Sequence, residues 1–193
     1  MKTERMVSAG GKVSEPYAPG DVWIFGYGSL MWDPGFDFLE ARPALLRGYH
    51  RAFCIYSIRF RGTPQRPGLV LGLDHGGSCR GRAFRVSRNK AGEVLAYLNE
   101  REMIHYSYER RLVPVCLARR RVQAYTYVAN RNHERYAGRL SLRKSAGLIL
   151  RGRGRSGSNV DYLENTIRHL DELGISDGAL HRLLGLVEGM SGA

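Results

Sequence analysis

A strand-forming run, Val22-Trp23-Ile24-Phe25, enters the segment Gly26-Tyr27-Gly28-Ser29-Leu30 with no polar linker between them. The β-branched and aromatic side chains commit the run to extended chain. The two glycines then permit a sharp turn and close approach of a ligand to the main chain. A turn of this kind aims several backbone N–H groups at one point. Taken alone, the segment is either a tight corner between strand and loop or a cradle for a ligand.

The chain around it has 193 residues, 43% of them hydrophobic, which suits one domain, since domains of this size bury about 70% of their unfolded surface. We expect a polar, mobile tail over residues 1–20 and the domain over residues 21–190. No stretch approaches the roughly 20 apolar residues of a membrane span, and the start has no hydrophobic core of a signal peptide. Three scattered cysteines, Cys54, Cys79 and Cys116, form no CxxC pair, and the six histidines fall into no ligand spacing. Neither a disulfide framework nor a metal site is expected, and a reducing cytoplasm fits best.

Thirty Lys and Arg against eighteen Asp and Glu give a net charge of +12, which invites a nucleic-acid partner. The arginines are spread over most of the chain, however, and the aromatic signature of RNA-reading modules is absent. An acidic small substrate is the rival explanation.

Further strands are expected at 45–58, 68–73, 79–86, 110–116 and 121–128, separated by Gly/Pro-rich or basic turns. Helices are expected at 90–102, with Ser87 as cap and Ala91, Val94, Leu95 and Leu98 on one face, then at 141–150, at 159–173 with Ser158 as cap, and at 177–189. The first half is therefore mostly β and the second mostly α. Residues 59–68 form a loop rich in Arg, Pro and Gly. The basic segment Arg151 to Gly157 is a loop that is either solvated or facing an anion.

Common templates fail on this chain. After Gly26 and Gly28 the sixth position of a dinucleotide fingerprint is Met31. Ser29 is followed by Leu30 and Met31, so it is no nucleophile elbow, and there is no Gly-Lys-Ser/Thr phosphate loop. A backbone-donor turn and a carboxylate remain. Glu102, at the end of its helix, is the most interesting carboxylate, although spacing does not separate it from Glu100 or Glu109.

Four segments in order, Phe25-Gly26-Tyr27-Gly28-Ser29-Leu30 with Trp32, Arg61-Gly62-Thr63-Pro64 leading to Pro67-Gly68, Tyr97-Leu98-Asn99-Glu100-Arg101-Glu102, and Arg155-Ser156-Gly157-Ser158-Asn159 with Asp161-Tyr162-Leu163, resemble the ChaC-like gamma-glutamylcyclotransferases. The similarity runs from about Val22 to Leu186. It implies a mixed α/β (α+β) fold centred on a small β-barrel with flanking helices, and cytoplasmic activity on glutathione. In the family the turn cradles the γ-glutamyl group through main-chain donors, here Tyr27, Gly28, Ser29 and Leu30. The family's catalytic glutamate falls on Glu102, and Arg61 and Tyr162 fall beside the substrate.

The implied reaction closes 5-oxoproline by attack of the α-amine of the γ-glutamyl group on its own γ-carbonyl, releasing Cys-Gly. Glutathione is then the small-molecule partner, with no cofactor, no metal, no specific nucleic acid and no membrane. The alternative is a basic binding module for RNA or another acidic partner, without catalysis. The polar start and the high charge are not explained by the resemblance.

Overall fold

Strand β1 (Val22–Gly26) is buried at every position, and the reason is that both of its faces are covered. Trwo-fold alternation sends Trp23 and Phe25 to one core and Val22 and Ile24 to another. A continuous apolar run is what such a strand requires.

In the computed structural model, residues 20–102 and 107–192 are described; all but the last residue of the tail expected over 1–20 lies outside them. β2 (Glu40–Ser57), β3 (Gly68–Val86), β4 (Tyr108–Leu117) and β5 (Arg120–Ala129) close with β1 into a barrel in the order β1-β3-β2-β4-β5. Closure comes from parallel pairing of β1 with β5, Trp23 facing Ala124 and Ile24 facing Tyr125. All other pairings are antiparallel.

Two expectations for this region are corrected. The strands expected at 68–73 and 79–86 are one strand, β3, whose ladder to β2 continues through Asp74, His75 and Ser78. Gly76 and Gly77, with φ of 99° and 69°, absorb a bulge there instead of reversing the chain. β2 also begins at Glu40, before the expected Leu45. Pro43 is tolerated because only β3 flanks that part of the strand, β4 joining at Leu45 and Leu46.

Helix α1 (Arg88–Glu102) lays Ala91, Val94, Leu95 and Leu98 against the core that contains Val22, Ile24, Phe84 and Tyr127. Helices α2 (Leu142–Arg151), α3 (Asn159–Glu172) and α4 (Gly178–Ser191) pack Ile149, Leu163, Ile167, Leu183 and Val187 onto the other core, with Phe25, Leu46 and Leu69. Each of these three starts at a side-chain cap: Ser141 accepts from Lys144, Ser158 from Asp161 and Asp177 from Leu180.

The segment Arg151 to Gly157 is more ordered than a solvated loop. Arg153–Gly154 (β6) and Gly157–Ser158 (β7) pair as a short hairpin. Its Arg155 and Ser156 N–H groups donate to the carbonyls of Arg59 (3.0 Å) and Phe60 (2.9 Å). Among the described residues no helix is long and apolar enough to cross a membrane.

Candidate active site

The chain leaves β1 at Gly26 and closes one 3-10 turn over Ser29–Met31, in which Met31 N–H donates to the Gly28 carbonyl at 2.9 Å. No acceptor for the N–H groups of Gly28, Ser29 or Leu30 is found among the described residues. The first N–H groups of a helical turn have no partner within it, and here they leave donors at the turn that the sequence marked.

One side of the turn is held by a residue that the sequence reading missed. Arg51, on β2, is buried, and its Nε donates to the Tyr27 carbonyl at 2.5 Å, its Nη2 to the Arg80 carbonyl at 2.7 Å and its Nη1 to Asp177 at 2.9 Å. In a trans peptide the N–H points opposite to the C=O. By fixing the Tyr27 carbonyl, Arg51 therefore fixes the Gly28 N–H pointing the other way. A single arginine within a strand carries no local signal of this role.

The other side is held by the end of α1. Arg101 donates from Nη2 to Ser29 Oγ at 3.1 Å and from Nη1 to the Asp33 carbonyl and the Tyr97 hydroxyl, both at 3.0 Å. Ser29 is thus tied to the residue next to Glu102. The result is a cavity of about 60 Å³ in which Tyr27, Gly28, Ser29 and Leu30 share the walls with Glu102, Leu71, Tyr108, Tyr127 and Tyr162. The rival carboxylates go elsewhere: Glu100 is exposed, and Glu109 pairs with Arg111.

Burial raises the pKa of Glu102 above its ordinary value, against the opposing charge of Arg101, whose Nε lies 3.5 Å from Oε1. Burial also holds the phenols of Tyr27 and Tyr108 well above their usual range, with the negative charge of Glu102 adding to it, and puts Tyr162 at about 12. These phenols are therefore neutral donors at physiological pH. Tyr108 gives its proton to the Leu71 carbonyl at 2.6 Å, and Tyr127 gives its own to Asn99 Oδ1 at 2.8 Å. Neither tyrosine carries a signal of this in the sequence: Tyr127 lies on an expected strand, where an aromatic reads as core, and Tyr108 lies just ahead of one, on what the fold makes the start of β4.

Tyr162 reaches the cavity because α3 is pinned at its start. Asn159, fully buried, accepts from Leu69 N–H at 2.6 Å and donates to the Leu69 carbonyl at 2.8 Å, imitating a strand neighbour. A side chain at Gly68 would place its Cβ 2.2 Å from the Arg61 carbonyl and 2.5 Å from Asn159 Oδ1, which is why the loop ends in Pro67-Gly68. Arg61 does not line the cavity. Its guanidinium donates to the carbonyls of Ser156 and Ser158 and stacks over the Tyr162 ring at 5.1 Å. The segments that the sequence resemblance picked out separately thus meet around one space.

A small closed barrel carrying this turn is the fold of the gamma-glutamylcyclotransferases. A crystal structure of a gamma glutamyl cyclotransferase specific to glutathione from yeast superposes with a TM-score of 0.80 at 24% sequence identity, over 88% of this chain and 96% of that one. A sequence model of the ChaC-like protein family matches residues 22–190, and the chain belongs to that family. It is 37% identical over 166 residues to the glutathione-specific gamma-glutamylcyclotransferase of Escherichia coli (strain K12), covering 86% of this chain and 72% of the relative. It is also 37% identical over 150 residues to the human glutathione-specific gamma-glutamylcyclotransferase 1, covering 75% and 68%.

Proposed function

We propose that this chain cleaves the γ-glutamyl amide of glutathione by intramolecular aminolysis, giving 5-oxoproline and Cys-Gly. The observation that carries the reading is the single cavity in which Glu102 and the Tyr27-Gly28-Ser29-Leu30 turn are both wall residues; the similarity to glutathione-specific relatives supports the choice of substrate.

Nucleophile and electrophile arrive on one molecule, so holding them folded supplies much of the rate, up to roughly 7–11 kcal/mol for well-oriented intramolecular reactions. The α-amine arrives as an ammonium and is inert until it loses a proton. An ordinary glutamate, with a pKa of about 4.3, is a weak base for that task. The burial that raises the pKa of Glu102 raises its basicity with it.

Glu102 takes one proton from the ammonium, and the free amine attacks the γ-carbonyl. Glu102 returns that proton to the cysteinyl nitrogen as the scissile C–N bond breaks, then takes the second proton from the ring nitrogen and passes it to the released amine. Both protons lost by the attacking nitrogen end on the leaving one, so no water is consumed. Acid-base assistance of this kind contributes about 10² to 10⁴ in rate.

The donors of the turn bind the γ-glutamyl group, and any N–H that meets the developing oxyanion adds about 3–4 kcal/mol to its stabilisation. Tyr162 closes the cavity, with Arg61 holding its ring from behind. Incubation with glutathione and identification of the products tests the reading: 5-oxoproline and Cys-Gly in equal amounts support it, and an unchanged substrate overturns it.

A further inference from the structure

Glu102 and Tyr108 line two cavities. The second, of about 170 Å³, lies between Glu102 and the end of β2 with the loop that follows it. The first cavity, the smaller at about 60 Å³, is walled by the turn assigned to the γ-glutamyl end. A substrate whose scissile amide sits at the carboxylate between the two has its γ-glutamyl end in the first and must send its remainder elsewhere.

We propose that the second cavity is the subsite for the cysteinyl-glycine half of the substrate, with the Arg135 guanidinium receiving the terminal glycyl carboxylate. The inference rests on the cyclotransferase reading above. Ile55, Ile58, Phe60 and Val70 give the cavity an apolar wall suited to a cysteinyl side chain, and Arg135 is on its lining.

Arg135 is set apart from the other arginines of the site by what it lacks. Arg51, Arg61 and Arg101 all spend their guanidinium groups on carbonyl, carboxylate or hydroxyl oxygens. The Arg135 Nε is buried without any hydrogen-bond partner. A buried donor left unpaired is costly and rare; no acceptor among the described residues holds this side chain, and a carboxylate entering the cavity gives the guanidinium a charge-assisted partner.

The backbone of Arg135 is in place for this. Its carbonyl accepts from Tyr56 N–H at 2.8 Å, and its own N–H donates to His133 Nδ1 at 3.1 Å, fixing it alongside β2. At the rim, the guanidinium groups of Arg59 and Arg155 lie over the Phe60 ring at 5.9 and 5.1 Å, adding positive charge where an anionic peptide would enter.

The test compares glutathione with glutathione whose terminal carboxylate is converted to the amide, in the wild type and in Arg135→Gln. The wild type is expected to show a KM about tenfold or more higher for the amide, and Arg135→Gln to raise the KM for glutathione to that level while using the amide as the wild type does. Equal KM values for the two substrates in the wild type, or equal losses on both in the variant, would overturn the subsite. Product inhibition of the wild type by Cys-Gly against Cys-glycinamide needs no variant: the amide is expected to inhibit about tenfold or more weakly, and equal inhibition would overturn the assignment. If the wild type turns over glutathione but ignores the terminal charge, only the subsite falls. If it forms no 5-oxoproline, the cyclotransferase reading falls and takes the subsite with it.

Discussion

Replacing Arg51 with Met keeps a long apolar stem in β2 and deletes the guanidinium that holds the Tyr27 and Arg80 carbonyls and Asp177. The Arg51 side chain is 2% exposed and that of Asp177 is 17% exposed, so the change strands a largely desolvated carboxylate and two carbonyls. Removing one partner of a buried ion pair costs about 3–5 kcal/mol, and each orphaned acceptor about 1–3 kcal/mol. Water reaching the partly exposed Asp177 recovers some of this, and we take about 3–5 kcal/mol for the whole change. In a domain of this length each kcal/mol lowers Tm by roughly 2–4 °C, which gives a fall of about 6–20 °C in a thermal melt. Asp177→Asn keeps an oxygen to cap α4 and leaves Arg51 its two carbonyls but strands the buried guanidinium without its counter-charge, so its Tm also falls. Assayed well below its Tm, Arg51→Met is also expected to lose kcat/KM, because the Tyr27–Gly28 peptide is no longer oriented, whereas Asp177→Asn largely keeps it. A melt within about 2 °C of wild type, or full kcat/KM in folded Arg51→Met, would refute the role given to this arginine.

Because the folded-state pKa of Glu102 is raised by burial, the folded protein holds that proton more tightly than the unfolded chain. Stability from this group is present below the unfolded pKa and is lost as pH rises through the folded one. Melts across pH should therefore find Glu102→Gln more stable than wild type at neutral pH, with the advantage shrinking in acid; the acidic limb of kcat/KM should lie above the ordinary carboxylate range. A Cβ at Gly28 would stand 3.5 Å from Leu71 Cδ1, and both residues line the cavity, so Gly28→Val is expected to raise KM for glutathione steeply while the melt changes little. Asn159→Ala removes two buried bonds to Leu69 and should cost about 2–4 kcal/mol in denaturant unfolding, with a loss of kcat from the displacement of Tyr162.

How legible these features are in the sequence follows from how local their causes are. Strand β1 and its turn are readable because apolar residues and glycines act where they stand. So are the starts of α2 and α3, set by serine caps at Ser141 and Ser158. Barrel closure is readable only through the family resemblance, since the pairing of Trp23 with Ala124 joins residues far apart in the chain and leaves no local pattern. Gly76-Gly77 misleads for the opposite reason: a pair of glycines breaks a strand or bulges it with the same residues, and only the partner strand decides. In the site, position alone does not separate Glu102 from Glu100 and Glu109. The fold separates them, turning one into the cavity, one to solvent and one toward Arg111. The charge of +12 invites a nucleic-acid reading because composition counts arginines without placing them; in the fold Arg51, Arg61 and Arg101 donate to internal carbonyl oxygens.

The most direct measurement quantifies the products formed from glutathione by the wild type and by Glu102→Gln. The wild type is expected to give 5-oxoproline and Cys-Gly one for one with no free glutamate, and Glu102→Gln to remain folded and bind glutathione while turning it over about 10²- to 10⁴-fold more slowly. Release of glutamate by the wild type, or undiminished turnover by Glu102→Gln, would contradict an intramolecular aminolysis driven by this carboxylate.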